Sequence, residues 1–245
     1  VTPLRLYCLP YAGGSGRVFA DWGPDLAPRV DVVPLELPGR GSRLREEPLD
    51  RLEPVVRDVV GSVLRDRVAH GPAPFAVLGY SYGAVLAFEL ARALEHAHGL
   101  RPEHLVVAAM RGPRWPGPVV QVAQLSPERF RHRLARLNGT PRELLDDLGF
   151  MALMEPVLRA DFAVADSYLW RDGPGVGCPV TALGGTADRS VTAAALDAWA
   201  AATTGPFRRH LLPGDHFFLR PSREGLLRTL ADALRVGGPV AEVSA

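Results

Sequence analysis

Six short apolar runs recur along the chain at Leu4–Leu9, Asp31–Leu37, Pro74–Tyr80, His104–Met110, Pro179–Gly184 and Arg208–Leu212. Each has the length of a strand and reads as one buried in a parallel sheet. Between most of them lie stretches with apolar residues at helical spacing: Arg51–Arg67, Tyr82–His96, Thr192–Ala202 and Ser222–Leu234. Strands that alternate with helices predict an α/β fold, in which right-handed crossovers cover a mostly parallel sheet on both faces.

One connection breaks this rhythm. The 68 residues from 111 to 178 far exceed the roughly 10 to 15 that a crossover helix needs. The passage opens with the Pro- and Gly-rich Arg111–Pro118 and turns helical at Ser126-Pro-Glu, where a cap residue precedes a first-turn proline and an early acid. Asn138-Gly-Thr-Pro interrupts the pattern, and further helical stretches follow at Arg142–Leu148 and Met151–Trp170. The reading is one domain over 1–245 with a helical insertion at about 112–172, placed to act as a lid over the sheet.

The sharpest chemical signal is Gly79-Tyr-Ser-Tyr-Gly83, set between the third strand pattern and the helix after it. G-x-S-x-G in that context predicts a nucleophile elbow, with Ser81 exposed on a strained turn at a helix N-terminus. A serine hydroxyl needs a base and an orienting acid, expected in the order Ser, Asp or Glu, His. His216 follows the sixth strand, and Asp188 follows the fifth in Gly184-Gly-Thr-Ala-Asp. Asp215 is a poorer partner, because neighbouring side chains seldom face one another. The backbone N–H of Tyr82 and that of Ala12, in the glycine-rich Pro10–Gly16 after the first strand, are the expected oxyanion donors.

Composition narrows the alternatives. All 28 basic residues are arginine and the 27 acidic residues nearly cancel them, so no global field draws the chain to nucleic acid or an anionic membrane. A lysine-free chain has no Walker lysine, and Gly13, Gly14 and Gly16 do not fit G-x-G-x-x-G. No nucleotide, other cofactor or metal site is expected. Cys8 and Cys178 sit in or beside apolar runs and read as buried thiols. No apolar stretch reaches the roughly 18 residues of a membrane span, and the expected location is cytoplasmic.

Several motifs in order resemble the type II thioesterases of polyketide and nonribosomal peptide synthesis, within the α/β-hydrolase family. They are Leu9-Pro-Tyr-Ala-Gly-Gly-Ser15, Glu36-Leu-Pro-Gly-Arg-Gly-Ser-Arg43, Gly79–Gly83, Leu158-Arg-Ala-Asp-Phe162 with Tyr168, Cys178-Pro-Val, Gly184–Asp188, Trp199 and Gly214-Asp-His-Phe-Phe218. Tyr80 and Tyr11 stand where many members have histidine, and Gly214-Asp-His replaces the frequent Gly-Gly-His. The resemblance implies hydrolysis of acyl groups from the phosphopantetheine arm of an acyl or peptidyl carrier protein, removing stalled chains. It also implies a lid-shaped acyl chamber, for which Tyr11, Phe150, Met151 and Met154 are candidate lining residues. An arginine rim would suit an acidic carrier and its phosphate, with Arg40, Arg43 and Arg45, or Arg111 and Arg114, placed for it. The 245 residues contain no carrier domain, which favours an editing enzyme acting in trans. Three other readings remain open: acyl transfer to a second carrier or small acceptor, hydrolysis of free esters, and a non-catalytic binding module.

Overall fold

The computed structural model describes residues 2–115, 121–137, 139–168, 170 and 173–234. Six strands, β1 (Leu4–Leu9), β2 (Val30–Pro34), β3 (Phe75–Tyr80), β4 (His104–Ala108), β5 (Val180–Gly185) and β6 (Phe207–Leu212), form one sheet in the order β2-β1-β3-β4-β5-β6. Every pairing is parallel. The chain runs outward from β1 to β2, then crosses back to place β3 on the other side of β1. Ligands of open α/β sheets collect at such a reversal, beyond the carboxyl ends of the strands.

Two strands stop earlier than the apolar pattern predicts. In β2 the pattern runs to Leu37, but the ladder ends at Pro34, which has no N–H to give, and only Leu35 N–H still reaches Cys8 C=O, at 2.9 Å. After β4 the backbone of Ala109 takes φ 52°, so the run ends two residues before Met110.

Alternate residues of each strand feed two cores. Tyr7, Leu9, Val77, Leu105, Val107, Val180 and Ala182 face one layer, where α2 (Leu52–His70) and α3 (Tyr82–His98) pack. Leu6, Cys8, Ala76, Leu78, Tyr80, Val106 and Leu183 face the other, covered by α1 (Gly23–Leu26) and the C-terminal helix Arg223–Ala233. On α2, Val55, Val59 and Val63 repeat every fourth residue and are at most 2% exposed. Each contributes about 1.5–3 kcal/mol over an exposed valine, so tertiary burial rather than propensity holds this helix. Cys8 and Cys178 are buried free thiols, and burial pushes the Cys178 thiol up to about 12.

The segment between β4 and β5 carries α4 (Pro127–Leu137), α5 (Arg142–Asp146) and α6 (Leu148–Ser167). Residues 116–118 of the Pro- and Gly-rich opening, and the helix-breaking Asn138, lie outside the described residues. α6 starts three residues before the predicted Met151, because Asp147 caps it by accepting Phe150 N–H at 2.9 Å. These helices share an apolar cluster of Val122, Phe130, Leu134, Leu145, Met151 and Leu158, separate from both sheet cores. After β5, the helix predicted over Thr192–Ala202 divides into α7 (Ala193–Asp197) and a 3-10 turn over Ala198–Ala202. The C-terminal helix Arg223–Ala233 is α8.

Candidate active site

Ser81 stands between β3 and α3 with φ 53° and ψ −118°, a conformation that a residue with a Cβ adopts only when its surroundings force it. Here the force is close packing. A Cβ on Gly79 would overlap the Gly83 carbonyl, and one on Gly83 would overlap the carbonyls of Leu9 and Pro10. The two glycines let α3 start directly against β3 and the end of β1, while Ser81 N–H is held by Ala108 C=O at 2.7 Å. Ser81 is therefore presented at the positive end of a 17-residue helix.

His216 reaches Ser81 from the loop after β6, with Nε2 3.0 Å from Ser81 Oγ. Its Nδ1 lies 2.8 Å from Asp188 Oδ2, on the loop after β5. An ionised carboxylate only accepts, so Nδ1 carries the proton and the Nε2 lone pair faces the serine hydroxyl. Asp188 is the more enclosed partner, its side chain 2% exposed against 16% for His216. Its Oδ1 accepts from Ser190 Oγ at 2.6 Å, Ser190 N–H at 2.8 Å and Val191 N–H at 3.2 Å. Burial works to raise the Asp188 pKa, but the hydrogen bonds and charge of His216 and those of Ser190 outweigh it and hold the carboxyl below its ordinary value. Asp215 bonds instead to Phe217 N–H.

The loop after β1 closes as a tight turn. Gly14 N–H donates to Tyr11 C=O at 2.8 Å and Gly13 takes φ 75°, the signature of a type II turn with Ala12 and Gly13 at its centre. Neither Ala12 N–H nor Tyr82 N–H has an acceptor among the described residues. Both remain available to a bound group.

The contacts of three residues of this site, Tyr80, Ser190 and Asp161, escaped the sequence reading. Tyr80, fully buried, donates its hydroxyl to His216 C=O at 2.7 Å. Ser190 braces Asp188 and lies 3.3 Å from His216 Nδ1. Asp161 on α6 accepts Gly13 N–H at 2.7 Å and pairs with Arg40 through contacts of 2.5 and 2.8 Å. Arg40 and Asp161 are 4% and 1% exposed, so Arg40 is an internal residue and the rim role expected of it is corrected: its guanidinium is spent on Asp161. Arg43 is likewise engaged with Asp58 and Glu46, whereas Arg45, Arg111 and Arg114 are exposed. Arg114 lies over the Trp170 ring.

The candidate lining residues separate. Tyr11 packs edge-on against Phe217, the neighbour of His216, with ring centres 5.1 Å apart. Met154 and Leu158 of α6 lie over the turn: a Cβ on Gly13 would meet Leu158 Cδ2 at 2.5 Å and Met154 Cε at 3.9 Å. Phe150 is half-buried against the α4–α6 cluster, while Met151 is 2% exposed inside it. Among the described residues no group of three or more His, Cys, Asp or Glu side chains is placed to hold a metal ion, and no helix is long and apolar enough to cross a membrane.

The family model of the thioesterase domain matches residues 4–234. The chain belongs to the thioesterase family. The gramicidin S biosynthesis protein GrsT of Aneurinibacillus migulanus is 37% identical to this thioesterase over 233 residues, covering 95% of this chain and 90% of its own. The RedJ thioesterase of the prodiginine pathway in Streptomyces coelicolor superposes with a TM-score of 0.87 at 39% identity, covering 95% and 86% of the two chains. The type II thioesterase BorB of the borrelidin cluster gives 0.84 at 37% identity, covering 96% and 94%. The sheet and flanking helices of this thioesterase are those of the α/β-hydrolase fold.

Proposed function

We propose that this thioesterase hydrolyses acyl groups from the phosphopantetheine arm of a carrier protein, clearing stalled or misprimed chains from a polyketide or nonribosomal peptide synthase. The carrying observation is the unbroken hydrogen-bond chain from Ser81 through His216 to Asp188 at the head of α3. Relatives named for gramicidin S and borrelidin biosynthesis support the choice of substrate.

In this reading Ser81 Oγ attacks the thioester carbonyl while His216 Nε2 takes its proton, and Asp188 stabilises the imidazolium. The carbonyl oxygen becomes an oxyanion held by Ala12 and Tyr82 N–H. Collapse breaks the C–S bond, and His216 returns the proton to the departing thiolate sulfur. A water, deprotonated by His216, then attacks the acyl-serine, and Ser81 leaves with that proton. Free acid and a free thiol arm result. α4–α6 would form the lid of a single domain, with Tyr11, Phe150 and Met154 as its apolar wall and Met151 supporting it from the lid core. The setting is the cytoplasm, beside the synthase.

Docking of an acidic carrier is assigned to α4 rather than to Arg40 and Arg43. Arg129, Arg131 and Arg136 of this helix make no ion pair with a carboxylate among the described residues, and Glu128 is the only acid on α4. Gly139, just past α4, packs against Phe217, which brings this end of the helix to the His216 loop.

Intact-mass spectrometry of an acyl-loaded carrier protein, incubated with the wild type, Ser81→Ala and Asp188→Asn, tests the proposal. Loss of the acyl mass with release of free acid is expected from the wild type, none from Ser81→Ala, and a rate lower by about 10⁴ from Asp188→Asn. Transfer of the acyl mass to an acceptor, faster cleavage of oxyesters than thioesters, or an undiminished rate in Ser81→Ala would each overturn it.

A further inference from the structure

Asp161 is a buried carboxylate on the face of α6 that buries Val157, Leu158 and Val164, and such a group persists only if its charge is matched. Arg40 matches it through both guanidinium Nη atoms, and Arg40 is itself fixed by Pro38 C=O at 3.3 Å. The pair is not self-contained. Asp161 Oδ2 also takes Gly13 N–H at 2.7 Å, and Arg40 Nη1 lies 3.5 Å from Gly14 C=O. Three segments distant in sequence, the turn after β1, the loop after β2 and a helix of the β4–β5 insertion, thus meet on one carboxylate.

The backbone geometry gives this junction a chemical consequence. In a trans peptide the C=O and N–H point in opposite directions. Tyr11 C=O points into the turn toward Gly14 N–H, so Ala12 N–H, which shares its peptide, points out of the turn. The next peptide, from Ala12 C=O to Gly13 N–H, is the one whose orientation separates type I from type II turns. Its N–H is the group that Asp161 grips. One side of Ala12 is set by the turn's own hydrogen bond and the other by the insertion.

We propose that Asp161, held by Arg40, is a positioning residue for the hydrolysis: it anchors the turn to α6 so that Ala12 N–H is aimed at the oxyanion. The inference rests on the serine-hydrolase reading above. It makes α6 part of the machinery that stabilises the transition state rather than only a wall of the substrate chamber.

Single removal of Asp161 would leave Arg40 buried without a counter-charge, so paired variants carry the test. Arg40→Gln with Asp161→Asn removes both charges but keeps a carbonyl that Gly13 N–H can reach. Arg40→Met with Asp161→Leu removes the charges and the acceptor together. Steady-state kinetics on an acyl N-acetylcysteamine thioester would be read beside inhibition by an acyl trifluoromethyl ketone, whose serine adduct carries the same oxyanion. The polar pair is expected within about 5-fold of wild-type kcat. The apolar pair is expected to lose about 10- to 100-fold in kcat with KM changed less than 3-fold, and to bind the ketone weaker by the same factor, since a misaimed donor costs less than a deleted one. Equal kcat in the two pairs, or a kcat loss without a matching loss of ketone affinity, would overturn the positioning role. Undiminished hydrolysis by Ser81→Ala would overturn the serine reading and this inference with it, whereas an inactive Ser81→Ala beside a fully active apolar pair would reject this inference alone.

Discussion

Tyr80→Phe removes one oxygen from the site and changes little else. The ring is fully buried between Tyr11, at a centroid distance of 6.1 Å, and Phe218, at 5.3 Å, and phenylalanine preserves both contacts. What is lost is the 2.7 Å bond to His216 C=O, leaving that carbonyl without its hydroxyl donor, together with the hydroxyl's contact to the Leu219 backbone in the same loop. A neutral hydrogen bond removed from one side only costs about 1–2 kcal/mol. For a chain of this size that lowers Tm by about 2–8 °C. If the whole of that energy serves to seat His216 against Ser81, the seated fraction and kcat fall by about 5- to 30-fold. Thermal melts and single-turnover release of an acyl group from a small thioester measure the two effects separately. A variant within 1 °C and 2-fold of the wild type would refute the argument that the hydroxyl holds this loop. A lowered Tm with unchanged turnover would mean that Tyr80 stabilises the loop without placing the imidazole.

Gly83→Ala is expected to lose at least about 3 kcal/mol, the range of severe overpacking, because its Cβ would overlap the Leu9 and Pro10 carbonyls; a urea melt showing less than 1 kcal/mol would contradict the packing of the elbow. His104 is buried between β4 and β5 against Thr181 Oγ1 at 2.8 Å, and desolvation, with Arg208 nearby, depresses its pKa from 6.5 to about 4. The unfolded chain then takes a proton that the fold refuses, so stability falls as pH drops from 6.5 toward 4, by about 2–3 kcal/mol. His104→Gln keeps a polar partner for Thr181 and removes the titration; its stability should fall less steeply over that window, and parallel wild-type and variant curves would refute the assignment. Reversing Arg129, Arg131 and Arg136 together to Glu should raise KM for a carrier-bound acyl group by about 10-fold or more, with KM for an N-acetylcysteamine thioester unchanged. Equal changes on both substrates would remove α4 from carrier docking.

What the sequence made legible follows from how local each signal is. The strands of this parallel sheet are covered on both faces, so Leu4–Leu9 and Phe75–Tyr80 appear as unbroken apolar runs, and the Gly-x-Ser-x-Gly turn can be read because its packing demands fall on adjacent residues. Asp188 and His216 were legible by position, each just past a strand that ends at the same sheet edge. Residues whose role depends on contact across the chain were not. Tyr80 lies 136 positions from His216, and Asp161 lies 148 from Gly13 and 121 from Arg40. Arg40 in the loop after β2 looks like any exposed loop arginine until α6 is placed beside it. Asp161 stood in the motif Leu158-Arg-Ala-Asp-Phe162, but an acid on the apolar side of a helix needs a partner that the sequence does not name.

Two different kinds of constraint converge on Ser81. The β3–α3 junction holds the serine itself in a strained backbone conformation through Gly79 and Gly83, whose small size is irreplaceable at van der Waals contact with carbonyl groups. The turn that faces it is held by a hydrogen bond instead, from Gly13 N–H to a carboxylate delivered by α6. Steric constraints of the first kind are built into the sheet and persist as long as it is folded. The second kind depends on α6 being seated, because Asp161 reaches Gly13 only from there. An insertion anchored in this way can vary over much of its surface, including the exposed Leu148 and Leu153, without disturbing Ala12 N–H. On the positioning proposal, what it must keep is an acceptor for Gly13 N–H at position 161, and that would separate residues free to tune substrate preference from the one tied to the oxyanion turn.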